Sequence, residues 1–447
     1  MRKILATLIM TGMVLSQATA EARLSPTRTV LDNGLVVITS QQPALPMVTM
    51  SLLIESGSRL DPAGREGAAN LVAQLLTYGT KKRSAVEFSD ALDFLGATIS
   101  TGCSEEAVTA NLTVLKKDLD AGLELLAEML TEAAFPAEDI ERQKQAVIAT
   151  IRAQEEQPGH VAEVKFMEAL YPKSPYGRQV EGTAESVKRI DRAALIDYYD
   201  NNIRPERAIV AVVGDVSEKE IAGKLTSAFQ PWQKKTGAKA AGAAPTPGAP
   251  TVVKINKQLT QANIVLGHAG VPRTHPDYYA IQVMNYILGG GGFSARLMDS
   301  IRTERGFAYS VYSQFEPQKY TGSFQIVMQT KNESAAEAIK LAVAEMRKMR
   351  EQGVTEAELN EAKDYLIGSF PLRFDTNRKV AAFLSQIEFY GLGLDYPDKY
   401  TEIIKKITQA DVLRVAQTYL HPEKLITVVV ADQSKAGLKS LDIGGGL

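Results

Sequence analysis

Apolar and polar positions along the chain follow two different periods, which predict strands and helices. Short apolar runs rich in β-branched residues predict strands over residues 35–40, 48–54 and 107–114. Apolar residues at helical spacing predict helices over residues 67–76, 86–95 and 118–133. Strands interspersed with helices in this order are typical of an α+β domain.

The second half of the chain repeats the first. Residues 190–215 align without a gap to residues 407–432, and each segment reads as a helix, a proline-marked turn and a strand. Residues 135–151 match residues 354–370 at nearly the same offset. Two matches at nearly the same offset indicate a duplication. We therefore predict an α+β fold of two homologous domains, each a mainly antiparallel sheet packed with helices.

Composition places the boundary between the two domains. Residues 234–250 read KKTGAKAAGAAPTPGAP, a stretch rich in Ala, Gly and Pro with no apolar periodicity. Such a segment is typical of a linker. We expect an N-terminal domain over residues 21–233 and a C-terminal domain over residues 251–447.

The first twenty residues have the layout of a secretory signal peptide. Arg2 and Lys3 precede an apolar run over residues 4–15, and the segment ends at small residues up to Ala20. The run is too short to span a bilayer, which needs about 20 apolar residues. We expect residues 1–20 to be a signal peptide and the mature protein to be soluble, exported across the inner membrane and periplasmic.

Charge and cysteine content exclude several classes of protein. The chain has 447 residues, with 50 Lys and Arg against 52 Asp and Glu, so its net charge of −2 argues against a nucleic-acid-binding protein. Cys103 is its single cysteine, which excludes an intrachain disulfide and a cysteine-based metal cluster. No two of the four histidines stand four residues apart: His160, His268, His275 and His421.

Residues 57–80, GSRLDPAGREGAANLVAQLLTYGT, resemble the pitrilysin/insulinase family of zinc peptidases, the inverzincins. The shared order is a glycine, a Pro-Gly loop, a helical motif and a closing Gly-Thr. The resemblance extends over essentially the whole mature chain and implies a clamshell-type fold built from a duplicated α+β domain.

The helical motif of that family is H-x-x-E-H, whose two histidines share one helix face and bind zinc while the glutamate activates water. By the resemblance, Asn70 and Gln74 stand at the histidines, Ala73 at the general base and Thr150 at a downstream glutamate ligand. All four positions lack the required chemistry. Glu155 and Glu156 follow Thr150, and we interpret them as surface charges. We expect this chain to bind no metal of its own.

The C-terminal half keeps other features of the family. A run of four glycines, Gly289, Gly290, Gly291 and Gly292, allows close approach of the backbone to a ligand, and no phosphate-loop lysine follows it. We predict a helix over residues 294–305 and a strand over residues 307–315. Arg302 and Tyr309 bracket the turn between them. The resemblance implies that this pair holds the substrate peptide and polarises its scissile carbonyl; the alternative is an Arg in a surface ion pair with Glu304 beside a half-buried Tyr.

A lost zinc motif together with a retained Arg/Tyr pair resembles the non-catalytic subunit of a heterodimeric member of the family. We therefore expect no independent activity. The resemblance implies a zinc-bearing H-x-x-E-H partner and unfolded peptide substrates, with Arg302 and Tyr309 acting in trans to the zinc of the partner; a homodimer can form where that partner is absent.

Three other functions are consistent with the sequence. The chain could be a structural subunit of a larger complex, a holdase-like protein that binds peptides without a peptidase partner, or an enzyme with an unrecognised metal site. The histidine count makes the last of these the weakest alternative.

Overall fold

The fold is described from a computed structural model that covers residues 24–235 and 244–438. The signal peptide expected at residues 1–20 and residues 236–243 of the expected linker lie outside this part of the chain. Within the described ranges, no helix combines the length and apolar character needed to cross a membrane.

The N-terminal half contains a six-stranded sheet with the order β1-β2-β6-β3-β5-β4. Its strands are β1 (Thr27–Val30), β2 (Val36–Gln41), β3 (Met47–Ile54), β4 (Thr98–Cys103), β5 (Val108–Leu115) and β6 (Ala208–Gly214). Its helices are α1 (Ala68–Leu75), α2 (Ala85–Leu95), α3 (Leu119–Thr131), α4 (Ala137–Glu155), α5 (Pro158–Leu170), α6 (Ala184–Arg189), α7 (Arg192–Asn202) and α8 (Glu218–Ala228).

The C-terminal half contains a five-stranded sheet with the order β7-β11-β8-β10-β9. Its strands are β7 (Thr251–Asn256), β8 (Gln261–Ala269), β9 (Ala308–Pro317), β10 (Gly322–Lys331) and β11 (Ile426–Ala431). Its helices are α9 (Tyr278–Asn285), α10 (Ala335–Gln352), α11 (Glu356–Ser369), α12 (Asn377–Phe389), α13 (Tyr396–Lys406) and α14 (Gln409–Tyr419).

The two sheets have the same topology once β1 is set aside. In each sheet one strand pair is parallel, β2 with β6 and β7 with β11, and the other pairs are antiparallel. The aligned segments found in the sequence coincide with α7 and β6 in one half and α14 and β11 in the other. The predicted α+β fold of two similar, mainly antiparallel domains is confirmed.

Two helices cross from one half to the other. Ala162, Phe166 and Leu170 recur every four residues on α5, and they are buried against Val265 and Val428 of the C-terminal sheet. In return, α12 packs on strands β3 and β6 of the N-terminal sheet. Because each sheet buries a face under a helix of the other half, the contact between the halves is part of the hydrophobic core.

A hairpin turn of the C-terminal half adds a polar contact across the same boundary. Lys319 follows β9, and its Nζ lies 3.0 Å from the carboxylate of Glu55, which follows β3. Tyr320 donates its hydroxyl to the same carboxylate at 2.8 Å. Arg59 also contacts this carboxylate, with its Nη2 3.3 Å from Oε1 of Glu55. The halves are therefore joined by side-chain contacts as well as by the chain itself.

Several elements differ from the sequence prediction. The short strands β1 and β4 were not predicted, because their residues are mostly polar or partly exposed and lack a clear apolar alternation. The helix expected over residues 294–305 is broken: a 3₁₀ turn occupies Gly292–Ser294, and a π-helical segment occupies Met298–Thr303. The strand expected over residues 307–315 is observed as β9.

Candidate functional site

Helix α1 carries the three positions that the resemblance assigns to the zinc motif. Its first turn is held by Asp61, whose carboxylate accepts hydrogen bonds of 2.7 Å from the backbone N–H groups of Gly67 and Ala69. Burial raises the pKa of Asp61 to about 7 against the opposing effect of these bonds. Gly67 has φ +98°, and a Cβ there would lie 2.4 Å from the carbonyl oxygen of Glu181, so only glycine fits.

A chain of three amide side chains occupies the face of α1 where zinc ligands are expected. Gln74 Nε2 donates to Asn70 Oδ1 at 3.3 Å, and Gln143 of α4 donates to Gln74 Oε1 at 2.7 Å. Asn70 is buried, and its Nδ2 group has no hydrogen-bond partner among the described residues. The structure thus brings together Asn70 and Gln74 as the helical spacing predicts, and adds Gln143.

The other two positions of the expected zinc site offer no ligand. Ala73 is fully buried and apolar, so it has no group that can transfer a proton. Thr150 is exposed on α4, and its hydroxyl donates to the backbone oxygen of Ala146 in its own helix at 3.1 Å. Neutral amides, a methyl group and a hydroxyl do not fit zinc, which takes imidazole, thiolate or carboxylate ligands. In the described part of the chain, no three His, Cys, Asp or Glu side chains are grouped to hold a metal ion.

The four glycines of the C-terminal half adopt several conformations. Gly289 and Gly290 end a π-helical segment, Tyr286–Gly290, and Gly291 links it to the following 3₁₀ turn, where Gly292 has φ +64°. Gly289 is required by space, because a Cβ there would lie 2.5 Å from the backbone nitrogen of Ser313 on β9. The glycines therefore let this segment pack tightly against β9.

Arg302 lies in the next π-helical segment and is held by aromatic rings. Its guanidinium carbon lies 5.0 Å from the ring centroid of Phe293 and 5.8 Å from that of Tyr309. Both distances lie within the range of cation–π attraction. Within the described ranges it forms no ion pair, and the alternative pairing with Glu304 is not observed. Arg302 therefore presents a positive charge that no carboxylate among the described residues neutralises.

Tyr309 lies on β9, the edge strand of the C-terminal sheet. Its side chain is 75% exposed, and its hydroxyl forms no hydrogen bond within residues 24–235 and 244–438. β9 pairs with β10 on one side, and no described strand pairs with its other side. The predicted pair of Arg302 and Tyr309 is thus brought together at the edge of the sheet, where the Tyr309 hydroxyl has no partner among the described residues and Arg302 Nη1 donates to Met298 Sδ at 3.9 Å.

Sequence reasoning missed Phe293, which covers the guanidinium of Arg302 and is 78% exposed. It also missed the anchor of this segment, Arg296. Arg296 forms two hydrogen bonds of 2.6 and 2.8 Å to the carboxylate of Glu358 and donates to the backbone oxygen of Gly353 at 2.9 Å. A bidentate pair of this kind fixes both position and orientation. Arg296 therefore holds the segment that carries Arg302 against helix α11.

The Arg296 anchor predicts a pH-dependent contribution to stability. Burial opposes ionisation of Glu358, yet the hydrogen bonds from Arg296, together with those from the backbone and hydroxyl of Thr355, lower the pKa of this carboxyl from 4.5 to about 2. Since the folded-state pKa is depressed, the stabilisation is present above pH 4.5 and is lost as the pH falls toward 2. Glu358→Gln should cost about 1–2 kcal/mol at pH 7 after allowance for partial exposure.

Urea unfolding at pH 7 and pH 3 would measure this effect. The difference between wild type and Glu358→Gln should shrink at the lower pH, because below pH 4.5 the carboxyl of the unfolded wild-type chain is protonated and must release its proton on folding, whereas glutamine has no proton to release. Glu361→Gln, on an exposed position of the same helix, is the matched control. An equal cost of Glu358→Gln at both pH values would contradict the role of the ion pair.

The two groups of predicted residues lie in different halves of the chain. No hydrogen bond, ion pair or ring contact within the described ranges joins Arg302 or Tyr309 to Asn70, Gln74 or Gln143. The site at the edge of the C-terminal sheet is therefore separate from the amide cluster of the N-terminal half.

Family models match both halves of the chain. Residues 36–184 match the insulinase family, peptidase family M16, and residues 189–366 match the peptidase M16 inactive domain. A solved structure described as a peptidase M16 inactive domain from Pseudomonas fluorescens is 28% identical, with a TM-score of 0.86, and the match covers 91% of this chain and 98% of that chain. A protease structure from Helicobacter pylori shares the fold at 20% identity, with a TM-score of 0.84, over 91% of this chain and all of that chain.

Curated relatives match over most of their length. An uncharacterized zinc protease of Streptomyces coelicolor is 27% identical over 409 residues, covering 90% of this chain and 89% of the relative. A protein of Helicobacter pylori named as a non-peptidase homolog, YmxG, is 26% identical over 407 residues, covering 89% of this chain and 92% of the relative. These matches confirm the resemblance found in the sequence. The chain therefore belongs to the insulinase family, peptidase family M16, as a member that lacks the H-x-x-E-H motif.

Proposed function

We propose that this chain is the substrate-binding subunit of a heterodimeric zinc peptidase and that it has no hydrolytic activity of its own. The observation that carries the proposal is the pair of Arg302 and Tyr309, which lie together at a sheet edge without a carboxylate partner among the described residues, while the motif positions on α1 hold neutral side chains. The partner is a chain of the same family with an intact H-x-x-E-H motif. The signal-peptide pattern of residues 1–20 supports a periplasmic location for the complex.

The edge of β9 around Tyr309 fits a short extended peptide; farther along the strand, Asn285 Nδ2 already donates to the backbone oxygen of Ser313 at 3.1 Å. An extended chain can add to such an edge through its backbone hydrogen bonds, which need no particular sequence. Tyr309 and Arg302 then lie beside the peptide backbone. Their O–H and N–H groups can donate to a carbonyl oxygen and stabilise the negative charge that develops there during hydrolysis. The metal chemistry belongs to the partner subunit, because the residues of this chain do not fit zinc.

Reconstitution with the zinc-bearing partner tests the proposal. Arg302→Ala with Tyr309→Phe should lower kcat for a fluorogenic peptide by about 10²–10³, the usual effect of removing a donor to an oxyanion. Tyr309→Phe keeps the ring and removes the hydroxyl. Arg305→Ala, an exposed arginine three residues away, is the matched control and should leave turnover unchanged.

Assembly must be followed by gel filtration in the same samples. Unchanged turnover of the double variant in an intact complex would overturn the proposal and favour a purely structural subunit. Tight peptide binding by the isolated chain, with no gain of hydrolysis when the partner is added, would favour the holdase-like alternative. Peptide hydrolysis by the isolated, metal-loaded chain would overturn the assignment as a non-catalytic subunit.

A further inference from the structure

A cavity of about 450 Å³ lies on the C-terminal half, between α12, the beginning of α13 and the loop that follows β8. Three cationic side chains line it, Arg273, Arg373 and Lys379, and no Asp or Glu is among the residues that line it. It shares no residue with the site around Arg302 and Tyr309. A cavity with this excess of positive charge is unusual in a chain whose net charge is −2.

Arg273 is fixed in place without an acidic partner. Its guanidinium lies 3.9 Å from the ring centroid of Tyr278, and its Nη2 donates to the hydroxyl of Tyr396 at 3.1 Å. It forms no ion pair with any described residue, whereas Arg296 is paired in bidentate fashion with Glu358. Stacking on Tyr278 and the hydrogen bond to the neutral hydroxyl of Tyr396 orient the planar guanidinium of Arg273. Neither contact compensates its positive charge.

Arg373, an exposed residue, also lines the cavity and lies beside aromatic rings. Its guanidinium lies 5.4 Å from the ring centroid of Phe370 and 5.5 Å from that of Tyr400, and it too has no carboxylate partner in the described part of the chain. Lys379 differs, because it pairs with Asp375 at 2.9 Å. Two uncompensated guanidinium groups therefore face one cavity.

The remaining walls of the cavity are largely apolar or aromatic. Phe383, Ile387 and Leu392 contribute apolar surface, and Tyr390 and Tyr396 contribute aromatic rings with hydroxyl groups. The volume lies in the range of small-molecule sites, about 300–1,000 Å³. Guanidinium groups match the geometry of carboxylate and phosphate oxygens and can bind them through two parallel hydrogen bonds.

We propose that this cavity binds a small organic anion, a carboxylate or a phosphate attached to an aromatic or apolar body. Arg273 and Arg373 bind the anionic oxygens, and the ring of Phe383 with its apolar neighbours packs against the body of the ligand. The site is separate from the proposed peptidase site, because neither Arg302 nor Tyr309 lines the cavity, and only the last residue of β9, Pro317, is among its lining residues.

Isothermal titration calorimetry with the full chain at low ionic strength tests the proposal. The probes are phenyl phosphate and benzoate, which distinguish the two anionic groups, and phenol, which has the same ring without the charge. Saturable binding of one or both anions is expected, and phenol should bind at least about tenfold more weakly. Arg373→Gln should weaken anion binding by about tenfold or more, because it removes a charged donor.

Arg378→Gln is the matched control, since Arg378 is exposed on the same helix as Lys379 and does not line the cavity. Arg273→Lys keeps the charge and removes the planar fork, so it should also weaken binding; circular dichroism verifies that it folds. The absence of saturable binding of both anions would overturn the proposal. Equal affinity of the Arg373→Gln and Arg378→Gln variants, or phenol binding as tightly as phenyl phosphate, would overturn it as well.

Discussion

Replacing Phe166 with alanine is expected to destabilise the whole chain by about 3–5 kcal/mol, the usual cost of removing a buried aromatic ring. Phe166 belongs to α5 of the N-terminal half, yet its fully buried ring packs on the C-terminal sheet. A Cβ built on Gly267 of β8 would lie 3.0 Å from Cζ of this ring, so the ring lies directly on the strand. Removing it leaves a cavity at the contact between the halves.

Urea or guanidinium unfolding, followed by circular dichroism, would measure the loss. Phe94→Ala is the matched control, because this phenylalanine of α2 is 91% exposed and its removal should change stability by less than about 0.5 kcal/mol. Limited proteolysis should cleave both halves of the Phe166→Ala variant faster, since each half is covered by a helix of the other. A cost no larger than that of Phe94→Ala would contradict the importance of the exchanged helix.

The exchange of α5 and α12 also explains which part of the fold the sequence could not predict. The spacing of Ala162, Phe166 and Leu170 shows that one face of α5 is apolar, and helical periodicity gives no further information about what covers that face. The duplication follows from the two aligned segments. The choice between a helix packing on its own sheet and on the other sheet depends on tertiary contacts between residues about 100–260 positions apart.

The amide cluster was the more predictable of the two sites. Residues four apart on a helix share a face, so the neighbouring positions of Asn70 and Gln74 follow from the sequence alone. Gln143 could not be found in this way, because its contact with Gln74 depends on how α4 packs against α1. Only the structure shows that the side-chain amide of Gln143 contacts the side chain of Gln74.

The surroundings of Arg302 were less predictable. The sequence places an arginine seven residues before a tyrosine, and both an ion pair and a free donor are consistent with that spacing. The structure distinguishes them, because Phe293 and Tyr309 cover the guanidinium where a carboxylate would otherwise pair with it. Phe293 follows a run of glycines whose conformations vary, so no periodic pattern connects it with Arg302.

Restoring three ligands to the degenerate site is expected to create a zinc site. The variant combines Asn70→His, Gln74→His and Thr150→Glu, the positions that the family resemblance assigns to ligands. Two imidazoles on one face of α1 and a carboxylate from α4 form a three-residue donor set suited to zinc. Structural zinc sites of zinc-finger peptides bind the ion with free energies of about 10–16 kcal/mol at pH 7. A site with three protein ligands should bind more weakly than these, and we expect the purified variant to retain close to one zinc ion per chain.

Mass spectrometry of metal content after dialysis, together with the visible spectrum of the cobalt-loaded protein, would measure this gain against wild type. The matched control combines Asn70→His, Gln74→His and Gln143→Glu and leaves Thr150 unchanged, so that the carboxylate lies at a different position of α4. Gln143 contacts the end of the side chain at position 74, so its oxygen is placed to accept the free N–H of a histidine there and to orient it. The control variant should therefore bind zinc more weakly, by about 10-fold or more. If the triple variant retains no more zinc than wild type, the absence of ligands at positions 70, 74 and 150 does not explain why this chain differs from the zinc-binding pattern of its family.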